Sequence, residues 1–135
     1  MTRLWLHCSL ALAAVAVQPP PEKLIEDGHW KRARAIVEPW IREKPSDARA
    51  NFLASQIRNA FHDRQSPLGL AENAVRLDSG VAKYHRQLAE VLGVTAQHSG
   101  MLQQLFLARR FKKEIDIDLA EDPNDLQGLR DLMEY

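Results

Sequence analysis

The 135-residue chain contains a single cysteine, Cys8. An internal disulfide is therefore excluded, and so is a metal site built from several thiolates. Cys8 follows His7 inside an apolar run, too early and beside the wrong neighbour for a lipoprotein attachment site. Neither sign of charge is in excess: 18 Lys and Arg stand against 18 Asp and Glu. No overall field then draws the chain to nucleic acid or to an anionic membrane. Aromatics are 7% of residues, and the 6 glycines and 7 prolines fall mostly at apparent breaks. Between those breaks the apolar residues are chiefly Ala and Leu, which predicts an all-α domain.

A long hydrophobic run is missing too. The longest, Leu4 to Val17, is interrupted by His7 and Ser9. It falls short of the roughly 20 residues that span a bilayer, so no stable membrane span is expected. The run follows Arg3 and contains Ala14-Val15-Ala16, small residues suited to a signal peptidase. This layout predicts a signal peptide over 1–16 and an exported protein, periplasmic or secreted, that begins at Val17. The alternative is a hydrophobic first helix. Residues 17–22, including Pro19-Pro20-Pro21, read as a stiff extended spacer.

Helical periodicity occupies the rest. Ala33, Ile36, Val37, Trp40 and Ile41 share one helix face, with Pro39 inside the pattern and a bend expected there. Gly28 marks a helix end before it, and Pro45 closes it. Ser46-Asp47 supplies an N-cap for a helix with Phe52, Leu53, Ile57, Ala60 and Phe61 on its apolar side. Ser66-Pro67 opens a helix carrying Leu70, Ala71, Ala74, Val75 and Leu77, closed by Asp78-Ser79-Gly80. The next runs from Val81 to about Gln97, with Tyr84, Leu88, Val91 and Leu92 inward. Ser99-Gly100 breaks it, and helix resumes through Leu102, Leu105, Phe106 and Ala108. Ile115 to Leu119 alternates like a strand, but the flanking helix formers favour helix. A last helix from Leu126 carries Leu129, Leu132 and Met133.

These elements repeat. Shifted by 34 positions, Trp40 falls on Ala74, Glu43 on Leu77 and Pro45 on Ser79. Asp118-Leu119-Ala120-Glu121-Asp122-Pro123 returns the pattern 44 positions further on, a period of 34 with ten residues inserted. A fixed period in this range is a signature of stacked helical units. The approximate units are 23–46, 47–80, 81–124 and an incomplete 125–135, within a repeat domain over 23–135.

Ala33, Val37 and Pro45, with Leu88-Ala89 and Leu92 and with Ala74, Leu77 and Asp78, resemble the tetratricopeptide repeat over roughly Lys23 to Tyr135. The region from Leu70 on also looks like exported bacterial repeat proteins with an expanded unit. Pro67 departs from the small residue usual at its position. The resemblance implies antiparallel helical hairpins stacked as a short right-handed α-solenoid, and an array that is incomplete at Tyr135. It further implies a non-enzymatic scaffold that binds a protein or peptide on a groove lined by the first helix of each unit. By register those groove residues are Arg49, Phe52, Gln56 and Asn59 from one unit, and Lys83, Arg86 and Glu90 from the next. Phe52, Gln87 and Gln127 stand where the carboxylate-clamping members of the family carry Lys, Asn or Arg, which argues against that activity. The bland reading of the groove set is a solvated helix face. The rival function is an accessory helical domain of an envelope enzyme or assembly complex.

Other chemistry finds little footing. His29, His62, His85 and His98 lack zinc-ligand spacing, so no metal site is expected. His62-Asp63 reads as a loop pair without a nucleophile, and neither catalytic residues nor a cofactor are expected. Asp116-x-Asp118 lacks the glycine that a calcium loop needs. Arg109-Arg110-x-Lys112-Lys113 reads as a solvated face rather than a phosphate or nucleic-acid contact. Uncovered apolar residues on the last helix predict self-association there.

Overall fold

A computed structural model describes residues 18–63 and 66–134. The expected signal peptide, its cleavage point and Cys8 lie outside the described residues. Seven helices follow in order: α1 (Pro21–Glu26), α2 (Trp30–Glu43), α3 (Ala48–Ala60), α4 (Ser66–Leu77), α5 (Ala82–Gln97), α6 (Met101–Glu121) and α7 (Leu126–Glu134). No strand occurs among the described residues. The alternating stretch Ile115–Leu119 lies inside α6, where helix propensity on both sides outweighs five residues of alternation.

Local chemistry sets each boundary. Pro20 is extended (φ −61°, ψ 151°) and Pro21 occupies the first turn of α1, where a missing N–H costs nothing. The helix thus takes in Pro21 and Glu22, which the sequence assigned to the spacer. Its end is a Schellman turn. The amide of Gly28 (φ 75°) donates to the Ile25 carbonyl, and that of His29 to the Leu24 carbonyl. The end of α3 repeats this geometry 34 positions later, with His62 (φ 58°) in the left-handed position. There the His62 amide donates to Asn59 and that of Asp63 to Arg58.

The opposite set of turns is just as regular. After α2, α4 and α6 the chain makes the same four-residue connection at 44–47, 78–81 and 122–125. The amides of Lys44, Asp78 and Asp122 donate to the carbonyls of Trp40, Ala74 and Asp118 at 2.9, 3.0 and 2.8 Å. Asp47 caps α3 through its side chain, accepting from the Ala50 amide at 2.9 Å. The spacing of 34 and then 44 is therefore a spacing of identical turns. The ten inserted residues lie between Val81 and Asp122, where they lengthen α5 and, more strongly, α6.

Each helix packs on the next, and α3 also touches both α1 and α5. Two clusters of buried side chains result. The first joins Leu24, Ala33, Val37, Phe52, Leu53, Ile57, Ala74 and Tyr84, with Trp30 and Trp40 packed against it. The second joins Ala71, Leu88, Ala89, Leu92, Leu107, Phe111 and Ile115, and half-buried Val75 bridges the two. Helix α2 continues through Pro39 to Glu43. Five expected inward residues differ. Ala60 and Phe61 are exposed because α3 ends there. In α6 the buried stripe is Leu107, Phe111, Ile115 and Asp118, while Leu102, Leu105 and Phe106 face solvent. Those three lie on the N-terminal part of α6, ahead of its buried stripe.

Candidate functional site

The seven candidate positions all lie on α3 and α5, and the links they make run between alternate helices. Arg49 donates from Nε and Nη2 to the two oxygens of Glu22 on α1, at 2.5 and 2.7 Å. Its guanidinium also lies 5.2 Å from the Trp40 ring centre. The hydrogen bond from Arg49 holds the Glu22 carboxyl below its ordinary range. Phe52 is 4% exposed, and its ring meets that of Tyr84 on α5 with centres 4.9 Å apart. Lys83 Nζ covers the pair, 5.3 Å from Phe52 and 6.0 Å from Tyr84. Gln56 is half-buried between these links.

Further along the same two helices, Asn59 Nδ2 donates to Glu90 Oε1 at 2.9 Å. Burial, then the charge of Asp131 on α7, raises the Glu90 carboxyl above its usual range. Arg86 donates to Asp125, whose other oxygen accepts from the Gln127 amide at 3.0 Å and so caps α7. Burial works against ionised Asp125, but the hydrogen bond and charge of Arg86, together with the amides of Gln127 and Gly128, outweigh it and lower its pKa. A continuous band of polar and aromatic side chains thus crosses α1, α3, α5 and the start of α7. Its exposed part is formed by Arg49 and Lys83, with Gln56 and Asn59 half-buried beside them.

Sequence reasoning missed two buried polar clusters. His85 Nδ1 is 2.6 Å from Glu114 Oε2 on α6, and Nε2 is 2.9 Å from the Ser79 carbonyl. An acceptor faces each ring nitrogen. The pair therefore satisfies its hydrogen bonds as imidazolium with carboxylate, or as neutral imidazole with carboxylic acid. The second cluster sets Asp118, 1% exposed, beside Asp125 and Arg86. Burial, then the neighbouring charge of Asp125, pushes Asp118 up to about 6. A Cβ on Gly128 would press into the Asp118 carboxylate and force that side chain to shift, so glycine suits this close approach of α7. The pairs His85–Glu114 and Arg86–Asp125 span 29 and 39 positions, and no local spacing signals them.

The remaining candidates scatter. His62 and Asp63 sit at the exposed α3–α4 turn. Within the basic cluster, Arg110 pairs with Glu72 at 2.6 Å and Lys112 with Asp116 at 2.5 Å, while Arg109 and Lys113 are exposed. Among the described residues no group of three or more His, Cys, Asp or Glu side chains is placed to hold a metal ion. No described helix is long and apolar enough to cross a membrane. Comparison with protein-family models and with characterised proteins finds no match.

Proposed function

We propose that this chain is a non-enzymatic helical-repeat scaffold of the tetratricopeptide type, exported to the bacterial envelope or exterior, that binds a protein or peptide. The observation that carries the reading is the recurrence of the same turn at 44–47, 78–81 and 122–125, with matching Schellman turns at Gly28 and His62. Units that repeat their turns stack in register, and stacking places equivalent helices side by side. The contacts of α3 with α1 and α5 agree with that order. The partner lies along Arg49, Gln56, Lys83, Arg86 and Glu90, where mixed charges offer hydrogen bonds to an extended or helical segment. Phe52, being buried, contributes through the rigid Tyr84 stack rather than as a direct anchor.

The test is site-specific photo-crosslinking in an exporting bacterium. A crosslinker at Gln56 or Lys83 should give a discrete adduct, and one at Arg42 or Arg76 should not. Adducts of equal yield at all four positions would contradict the assignment. Export is tested by the mature terminus. Val17 should be the first residue by mass spectrometry, and an intact Met1 on a cytoplasmic product would remove that part of the reading.

A second reading rests on α7, where Leu126, Leu129 and Met133 are 80%, 38% and 85% exposed. That apolar edge suits a helical domain that packs on a further domain of an envelope enzyme or assembly.

A further inference from the structure

The inserted turns of α5 and α6 create a surface that the regular units lack. Beyond the end of α7, these two helices flank an open groove of about 590 Å³. Val94, Leu105 and Ala108 line its apolar part, and Glu90, Asp131 and Glu134 line the side next to α7. The groove is therefore apolar on one side and acidic on the other. Burial raises both Glu90 and Asp131, and each is raised further by a neighbouring carboxylate. A cation brought to this wall would relieve that repulsion.

The adjacent stripe of α6 has the opposite character. Leu102, Phe106, Arg109 and Lys113 follow at i, i+4, i+7 and i+11, which places them on one face. All four are exposed, Leu102 at 85% and Phe106 at 61%, and neither Arg109 nor Lys113 pairs with a carboxylate among the described residues. Large neighbouring apolar side chains left in water mark an interaction surface. Here the apolar-and-basic stripe and the apolar-and-acidic groove belong to one hairpin and complement each other. The stripe cannot enter its own groove, because both are built on the same helix.

We propose that two copies of this chain associate through the extended hairpin, the Leu102–Phe106–Arg109–Lys113 stripe of each copy lying in the α5–α6–α7 groove of the other. A two-fold axis makes the exchange reciprocal, as an isologous interface requires. Leu102 and Phe106 meet Val94 and Leu105, and Arg109 and Lys113 reach the acidic wall. The groove shares Glu90 with the α3–α5 band, while the stripe on α6 lies apart from it.

Sedimentation velocity on the full chain tests it. The parent should form a dimer that weakens as salt is added, since part of the attraction is between exposed charges. Phe106→Glu places a carboxylate against the apolar part of the groove, at Val94 and Leu105, and should leave only monomer, with unchanged helicity by circular dichroism. Lys113→Glu and Glu134→Lys should each weaken the dimer by about tenfold, and the two together should restore much of the loss. A monomeric parent overturns the proposal, as does a dimer indifferent to Phe106→Glu or a double variant weaker than either single one.

Discussion

The first four helices and the last three share the turn that follows α2, α4 and α6 but close their interiors differently. From α1 to α4 the buried set is almost wholly apolar, with Asn51 and Ser55 the buried polar side chains. Both are satisfied locally: Asn51 donates to the Pro45 carbonyl at 2.8 Å, and Ser55 Oγ to the Pro67 carbonyl at 2.9 Å. From α5 to α7 the interior holds His85, Glu114 and Asp118, while Met101, Leu102, Leu105, Phe106 and Met133 face solvent. Polar groups have moved in and apolar groups out. The regular half is a sealed core, whereas the expanded half keeps polar groups inside and hydrophobic surface outside.

The contrast is sharpest at the His85–Glu114 pair. Glu114→Ala leaves the imidazole without its partner at a position less than a tenth exposed, and should cost about 1–3 kcal/mol in urea unfolding. His85→Leu combined with Glu114→Leu should recover most of that loss, because apolar replacements remove the buried polar group left without its partner. A single substitution with no measurable cost would show that water already reaches the pair.

In the regular half, Ala74 is fully buried within the cluster that holds Tyr84. Ala74→Leu overpacks this contact and should cost ~1–3 kcal/mol by the same measurement. An equal or larger cost for adding bulk on the exposed stripe of α6, as in Phe106→Trp, would erase the distinction between the two halves.

Acidity separates them as well. Asp118 loses its proton near 6 when folded and near its ordinary 3.8 when unfolded. Between these values the folded chain binds more protons, so stability falls as pH rises from about 4 to 6. Asp118→Asn should flatten that slope and raise stability at neutral pH. An unchanged slope would place the titration elsewhere.

The smallest effect concerns the paired Schellman turns. His62 holds a left-handed conformation that strains a side chain, whereas Gly28 accepts it freely. His62→Gly should add about 0.5–1 kcal/mol, and Gly28→Ala should remove about 1 kcal/mol, in thermal melting.

Helices and turns were legible because their signals are local. Asp47 as a cap, Gly28 as a stop and Ser79-Gly80 as a turn each act over a few residues, and the 34-residue shift repeats them. The inward face of α3 was readable for Phe52, Leu53 and Ile57, since a core covers both sides of that helix. The same periodicity misled in α6, where Leu102, Leu105 and Phe106 have a helical stripe but no neighbouring helix to bury it. The candidate band on α3 and α5 was placed by register alone, and its cross-links to Glu22, Tyr84 and Asp125 depend on stacking that no local pattern encodes. The buried His85–Glu114 pair was likewise silent, because its partners meet only through the fold.

The central claim is that the chain is a regular 34-residue array carrying a ten-residue extension on its third hairpin. Removing the ten residues Val94–Gln97 and Met101–Phe106 keeps His98-Ser99-Gly100 as the connection and returns the hairpin to the regular period. The decisive measurement is urea unfolding of this shortened chain followed by circular dichroism at 222 nm. The account predicts a helical protein with a single cooperative transition. An unfolded chain, or one that melts without cooperativity, would show that the extension is integral to the core and that the repeat is not the organising unit.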